Sequence, residues 1–318
     1  MIAISPFSIE AVFGCVPERT VSNLDVCSAL AGPEKAEAVV KATGFTERRL
    51  AAEGETVEHL MLQAGRAALE GVAPEDVGAV VAVTFSAPRR FPALSACIAS
   101  ELGLPSSVSA IDLSMACSGY PYGLLVAAQL SAATGKKTML LDGDVQSAFI
   151  DHSDVNTVAV MGDGASATLV APGAVGAAAA RFAFLTDGSL SSVLSCGSQG
   201  PIKMDGFGVF RFVAADVTAF LRDFLAESGE SPDVFVPHAA NMYMVRQLAA
   251  ALRLEDRLIS AGGRFANTGS CSIPLALASV QTAGRALVAG FGAGLSAAAA
   301  LVDVPASVRR GVIPSRAV

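Results

Sequence analysis

An α/β chain of two similar halves, each built on a parallel-rich sheet, is what this sequence predicts, and three observations predict it. Short apolar runs bounded by turn residues alternate with segments of helical periodicity, the pattern of βαβ units. The same order begins again after about residue 173. The composition, 52% hydrophobic against 16% charged with no Trp, suits buried strands and Ala/Gly-packed helices rather than disorder.

In the first half, apolar runs at 77–85, 138–141, 158–161 and 167–170 predict buried strands, and the periodic segments 56–69, 94–102 and 122–133 predict helices after Gly, Pro, Ser or Thr punctuation. In the second half, strands are predicted at 180–185, 234–236, 286–291 and 297–302, and helices at 214–226, 242–252 and 273–283. A chain of 318 residues exceeds one typical domain, so the division falls at 1–172 and 173–318. The tail 305–318 either closes over a surface or frays.

Several function classes are excluded early. A formal net charge of -7 without a dense Lys/Arg run lacks the footprint of a nucleic-acid binder. Mean hydropathy is +0.53, yet the most apolar stretch, 286–302, contains three glycines and a serine and reads as strand, turn, strand rather than a membrane span. The start, MIAISPFSIEAVFG, has no positive region ahead of an apolar stretch, so a cytoplasmic protein is expected, with no membrane partner. Six cysteines at 15, 27, 97, 117, 196 and 271 form no CxxC pair and no zinc pattern.

One of those thiols stands apart. Cys117 lies where the apolar run from Ala110 to Leu113 gives way to small residues, Ala116, Ser118 and Gly119, before a helical segment. Unpaired N–H groups and the helix dipole at such a turn favour a thiolate and lower the thiol pKa. Of the three histidines, His59 sits in a charged helix and His152 in a polar loop, whereas His238 follows the buried run 233–237 at a strand's C-terminal edge. Asn267 stands among small residues before another helix, where an isolated Asn is more often a turn or N-cap residue. The order Cys, His, Asn is shared with papain-like proteases. That reading expects flanking Trp and Cys and a secreted, disulfide-bearing chain, and this sequence offers neither Trp nor a signal.

With these residues in hand, the chain resembles the ketoacyl-ACP synthase III family along nearly its full length. The resemblance is carried in order by Thr43-Gly44-Phe45-Thr46-Glu47-Arg48-Arg49, Phe91-Pro92, Ala116-Cys117-Ser118-Gly119, Met161-Gly162-Asp163-Gly164-Ala165, Val236-Pro237-His238 with Ala240-Asn241, Asn267-Thr268-Gly269-Ser270, and Gly290-Phe291-Gly292-Ala293-Gly294. It implies the thiolase fold, two βαβ-rich halves in a five-layered α-β-α-β-α core, as a homodimer with active sites near the dimer interface. It also implies two half-reactions: Cys117 takes an acyl group from a CoA or carrier thioester, and a malonyl-type extender then decarboxylates and attacks it. In that chemistry the N–H groups of Cys117 and Ala293 form the oxyanion hole, and His238 Nε2 with Asn267 Nδ2 stabilise the enolate without a full positive charge. Neither metal nor redox cofactor is needed.

Substrate contacts are expected from Asn241, and pocket depth from Phe91, Phe207, Phe210 and Leu295. Arg89 and Arg90, directly before Phe91-Pro92, are candidates to meet a carboxylate at the far end of a dicarboxylic primer. Arg211, Arg246 and Arg253 are candidate contacts for an acidic acyl carrier protein, each with solvated surface as its ordinary role. Where members that use acyl-CoA hold a Trp and two Arg, this chain has Ala38, Ala42 and Ala148, which leaves CoA and carrier donors both open. Two other functions stay in play: an acyltransferase passing the Cys117 acyl group to an alcohol or amine, and a non-catalytic partner subunit of a condensing enzyme.

Overall fold

The computed structural model describes residues 1–173, 178–197 and 200–316. Two sheets lie face to face with helices between them and outside them. The first sheet has six strands in the order Arg309–Pro314, Phe7–Val16, Gly164–Pro172, Lys137–Asp144, Val77–Val83, Ser109–Leu113. The second has five, in the order Ile2–Ile4, Ala180–Thr186, Ser296–Val304, Gly284–Gly292, Val234–Pro237.

Strand periodicity explains why both faces of each sheet are covered, since successive side chains point to opposite sides. Val81, Val83 and Leu140 enter a core shared with Val288 and Ala300 of the other sheet, while Val80, Ala82 and Leu141 enter a core with Leu60 and Met61 of the outer helix Val57–Ala68. On the far side of the second sheet, Leu221 of Thr218–Ser228 and Leu248 of Met242–Leu252 pack against Leu287 and Leu301. The helices Gly119–Thr134 and Ser272–Ser279 contribute Tyr120, Leu124, Ile273 and Leu275 to the shared core and form the middle layer. The result is the five-layered α-β-α-β-α thiolase architecture.

The structure departs from the sequence expectations in several places. The parallel-rich expectation fits the first sheet better than the second, where only Val234–Pro237 with Gly284–Gly292 is parallel. Gly284–Gly292 and Ser296–Val304 are joined by a tight turn, which obliges antiparallel pairing. Residues 158–161 are not a strand: Asp154 caps a short helix, Val155–Val158, and Met161 makes a single bridge to Asn267. The helix predicted at 273–283 ends at Ser279 because the chain then turns into Gly284–Gly292. The tail forms the strand Arg309–Pro314, parallel to Phe7–Val16, although its last two residues, 317–318, lie outside the described residues. Both terminal strands cross the 172/173 boundary: Ile2–Ile4 pairs with Ala180–Thr186, and Arg309–Pro314 joins the first sheet.

Among the described residues no helix is long and apolar enough to cross a membrane. No group of His, Cys, Asp or Glu suited to a metal ion occurs among them either.

Candidate active site

Cys117 is reached through a turn that few sequences tolerate. Ala116 adopts φ 44, in the left-handed region that costs a non-glycine residue energy, and a 3₁₀ turn, Ala116–Ser118, leads into Gly119–Thr134. Cys117 as a residue is 9% exposed. Opposite it runs the end of Gly284–Gly292, close enough that a Cβ on Gly292, at φ 154, would fall 2.8 Å from Cys117 Cβ and 3.2 Å from Sγ. Glycine there is therefore a requirement of close approach. The strand's continuation aims the Ala293 N–H at the sulfur, and the N–H of Cys117 itself points the same way.

The electrostatics differ from the sequence expectation of a depressed thiol pKa. Burial pushes the Cys117 thiol up to about 12, the charge of Asp144 adds to the rise, and the two N–H groups oppose it. A short 3₁₀ turn in an enclosed site cannot outweigh desolvation and a nearby carboxylate, so the resting group is a thiol. Asp144 is itself raised to about 6 by burial, offset by donors from Thr84, Phe85 and Ser86 that converge on its Oδ1.

His238 is 1% exposed at the end of Val234–Pro237. Its Nδ1 lies 2.8 Å from Ser272 Oγ and 3.1 Å from the Gly269 carbonyl oxygen. The ring meets Phe291 edge-on at 5.5 Å, and burial lowers its pKa to about 4, the Gly269 carbonyl opposing. The imidazole is thus neutral near neutral pH. Asn267 follows a second strained alanine, Ala266 at φ 56. Its Oδ1 accepts the Gly269 N–H at 2.9 Å, and its backbone carbonyl accepts the Gly162 N–H and Gln146 Nε2. Held by its oxygen, the amide has Nδ2 left to donate.

Cys117, His238 and Asn267 line one cavity of about 260 Å³ together with Asn241, Phe291 and Gly292. Apolar side chains such as Val160, Met161, Leu194, Met204, Val209 and Met244 complete it, and among the described residues no Lys, Arg, Asp or Glu lines it. Asn241 also caps Met242–Leu252, its Oδ1 accepting the Met244 N–H at 2.7 Å. Of the alanines at the expected nucleotide-gripping positions, Ala42 is at the cavity, whereas Ala38 and Ala148 are exposed elsewhere.

Other expected contacts lie apart from it. Leu295 is fully buried in the outer core of the second half, because the turn before Ser296–Val304 directs it away from Cys117. Phe210 stacks on Tyr243, ring centres 6.3 Å apart, and lines a separate surface groove. Phe207 is 75% exposed beside Gly206 and Val209, which do line the cavity. Arg89 is paired with Glu58 at 2.5 Å, so its charge is already met within the chain; Arg90 is exposed and Phe91 is 84% exposed. Arg211 and Arg246 are exposed, on the helices that supply Val209 and Met244 to the cavity. Arg253 caps the opposite end of Met242–Leu252 from Asn241.

Two motif segments brace the site instead of facing it. Arg48 is buried and hydrogen-bonded to Asn23, and Asp163 ties Ala51 to Ser147. Sequence reasoning missed Ser272 and the edge-on role of Phe291. Their signal was the small-residue helix start five positions after Asn267 and the Gly-Phe-Gly run.

A buried thiol with two N–H donors, facing a neutral imidazole and a carboxamide across a largely apolar cavity in this architecture, defines the class of thiolase-fold acyl-thioester enzymes. Residues 111–199 match the family described as 3-oxoacyl-[acyl-carrier-protein (ACP)] synthase III, and residues 227–304 match its C-terminal counterpart. A beta-ketoacyl-[acyl-carrier-protein] synthase III of Streptomyces coelicolor is 34% identical over 92% of this chain and 92% of its own. An acetoacetyl CoA synthase of Streptomyces sp. (strain CL190) is 31% identical over 93% of this chain and 98% of its own. The crystal structure of a 3-oxoacyl-(acyl-carrier protein) synthase from Burkholderia xenovorans superimposes with a TM-score of 0.93 at 27% identity, covering 98% of each chain. The chain belongs to the 3-oxoacyl-ACP synthase III family.

Proposed function

We propose that the protein condenses acyl thioesters, using Cys117 as nucleophile and His238 with Asn267 as enolate donors. The observation that carries this reading is the convergence of the three side chains on one cavity, with the Cys117 and Ala293 N–H groups aimed at the sulfur. In the first half-reaction Cys117 Sγ attacks the primer thioester carbon. The oxyanion rests on the two N–H groups, and the departing thiolate carries off the thiol proton. Preorganised donors matter here because the resting thiol needs its charge stabilised as it reacts.

In the second half-reaction the carboxylate of a malonyl-type extender leaves as CO2. Negative charge develops on the extender's thioester oxygen, and the donors from His238 and Asn267 stabilise it. The enolate carbon then attacks the Cys117 thioester, releasing a β-ketoacyl thioester and a thiolate that regains a proton from solvent. With no charged side chain among the described residues that line it, the cavity favours a neutral acyl primer over a dicarboxylic one. Arg211 and Arg246, exposed beside the cavity, fit contacts to an acidic carrier, and the exposed Phe91 loop fits the interface of a homodimer. A cytoplasmic location belongs to the same proposal.

The test supplies acyl-CoA and acyl-carrier primers with malonyl thioesters and follows intact mass and CO2. An acyl adduct on Cys117 followed by CO2 release and a β-ketoacyl product is expected. An adduct that passes to an alcohol or amine with no CO2 would make the protein a simple acyltransferase, and no adduct with any thioester would leave it a non-catalytic subunit.

A further inference from the structure

His238 lines the cavity with its Nδ1 held by two neighbours, and these ask for opposite tautomers. The Gly269 carbonyl, 3.1 Å away, can only accept, which would require hydrogen on Nδ1. The Ser272 hydroxyl, 2.8 Å away, can donate, which would require a lone pair there.

The remaining hydrogen bonds decide between them. The Gly269 carbonyl already accepts the backbone N–H of Ser272, which closes the 3₁₀ turn Gly269–Cys271. Ser272 Oγ accepts the Ala239 N–H at 3.2 Å, so its hydroxyl hydrogen is left for Nδ1. In that arrangement every one of these buried donors has an acceptor. With hydrogen on Nδ1 instead, the hydroxyl of Ser272, a residue only 4% exposed, loses its acceptor, an arrangement that native interiors avoid.

We infer that Ser272 is a positioning residue whose hydroxyl donates to His238 Nδ1 and so fixes hydrogen on Nε2, making the neutral imidazole a donor to the extender's enolate. The inference rests on the condensation proposed above and adds a residue to it. It also explains the economy of the turn after Asn267. Gly269 N–H holds the Asn267 oxygen while Ser272, three residues on, holds His238, so one turn orients both donors.

The consequence is a pH signature. Without the hydroxyl, Nδ1 takes the hydrogen and donates to the Gly269 carbonyl, leaving Nε2 bare. Only the imidazolium, with hydrogen on both nitrogens, then donates from Nε2, so the variant's second half-reaction recovers as pH falls. Among the described residues, the titratable groups nearby are Cys117 on the same cavity, Cys271 on the Gly269–Cys271 turn, Asp144, whose Oδ2 approaches Gly269, and Asp142, which acts with Asp144 on Cys271. Wild type and variant share them all, so the ratio of the two profiles isolates His238.

The experiment compares wild type with Ser272→Ala and Ser272→Thr. In Ser272→Ala, adduct formation on Cys117 is expected to stay within ~3-fold of wild type, while CO2 release from a malonyl thioester falls ~10- to 100-fold at pH 8. That deficit shrinks toward pH 5, and Ser272→Thr restores activity at pH 8. Nitrogen-15 NMR of histidine-labelled protein, with only three histidines to assign, reads the tautomer without any turnover. Hydrogen on Nε2 in wild type and on Nδ1 in Ser272→Ala is expected. A wild-type ring with hydrogen on Nδ1, or a deficit equal for both half-reactions and flat with pH in a folded Ser272→Ala, overturns the inference. A wild type with the expected tautomer that forms the adduct but releases no CO2 overturns the condensation reading instead.

Discussion

Two turns in this molecule are built alike and behave differently. Ala116-Cys117 and Ala266-Asn267 each follow a strained, positive-φ alanine, and each runs through a 3₁₀ turn into a helix of the middle layer. Each turn also carries a cysteine, Cys117 in the first and Cys271 in the second. Cys117 opens on the cavity and faces two N–H groups. Cys271 is fully buried, donates to the Thr268 carbonyl, and is pushed far up by burial and the charges of Asp144, Asp142 and Asp163. A helix start does not by itself favour a nucleophile; in the proposed mechanism, access and donors aimed at the sulfur set Cys117 apart from Cys271.

The largest expected effect breaks that comparison most directly. Cys117→Ala should abolish the acyl adduct and lower condensation by more than about 1,000-fold, whereas Cys271→Ala should change turnover by less than ~3-fold. Equal losses in both would show that the two turns are not chemically distinct. Next, His238→Ala and Asn267→Ala should each lower CO2 release ~100- to 1,000-fold while the Cys117 adduct still forms, as read by intact mass. Gly292→Ala comes third, because the new Cβ would crowd Cys117. A ~10- to 100-fold loss of adduct formation is expected with a lower thermal midpoint.

The smallest effect sharpens the electrostatics. Asp144→Asn removes the charge that helps raise the Cys117 pKa and keeps an oxygen for the four donors. The variant's Cys117 should alkylate with iodoacetamide a few-fold faster than wild type. The sign follows from Asp144 titrating near 6: above that pH the wild-type carboxylate is charged and opposes the thiolate. The advantage should therefore grow as pH rises through about 6 and vanish below it.

Cys117 and His238 were legible as candidates because each stands where an apolar run gives way to small residues, and strand ends are where such sites assemble, whereas Asn267, among small residues before a helix, was singled out by the family resemblance. The sequence could not assign Leu295 correctly, since the side-chain direction inside a three-residue turn depends on how the flanking strands pair. Arg89 looked free because Glu58, its partner, lies on the helix Val57–Ala68, some thirty residues before the loop that carries Arg89. The raised thiol had the same origin: Asp144 approaches Cys117 only when the sheet is assembled. Ser272 was legible as a helix start but not as a partner of His238, a contact between separate elements.

The exchange of end strands carries a consequence for how the molecule can be taken apart. A cut at the 172/173 boundary would leave each fragment holding an edge strand that belongs to its neighbour, and would expose a row of backbone donors and acceptors on both. Neither piece is then a self-sufficient module. Reassembly by mixing separately expressed fragments would have to thread both ends home together, and fusions at either terminus act on a strand of the opposite half.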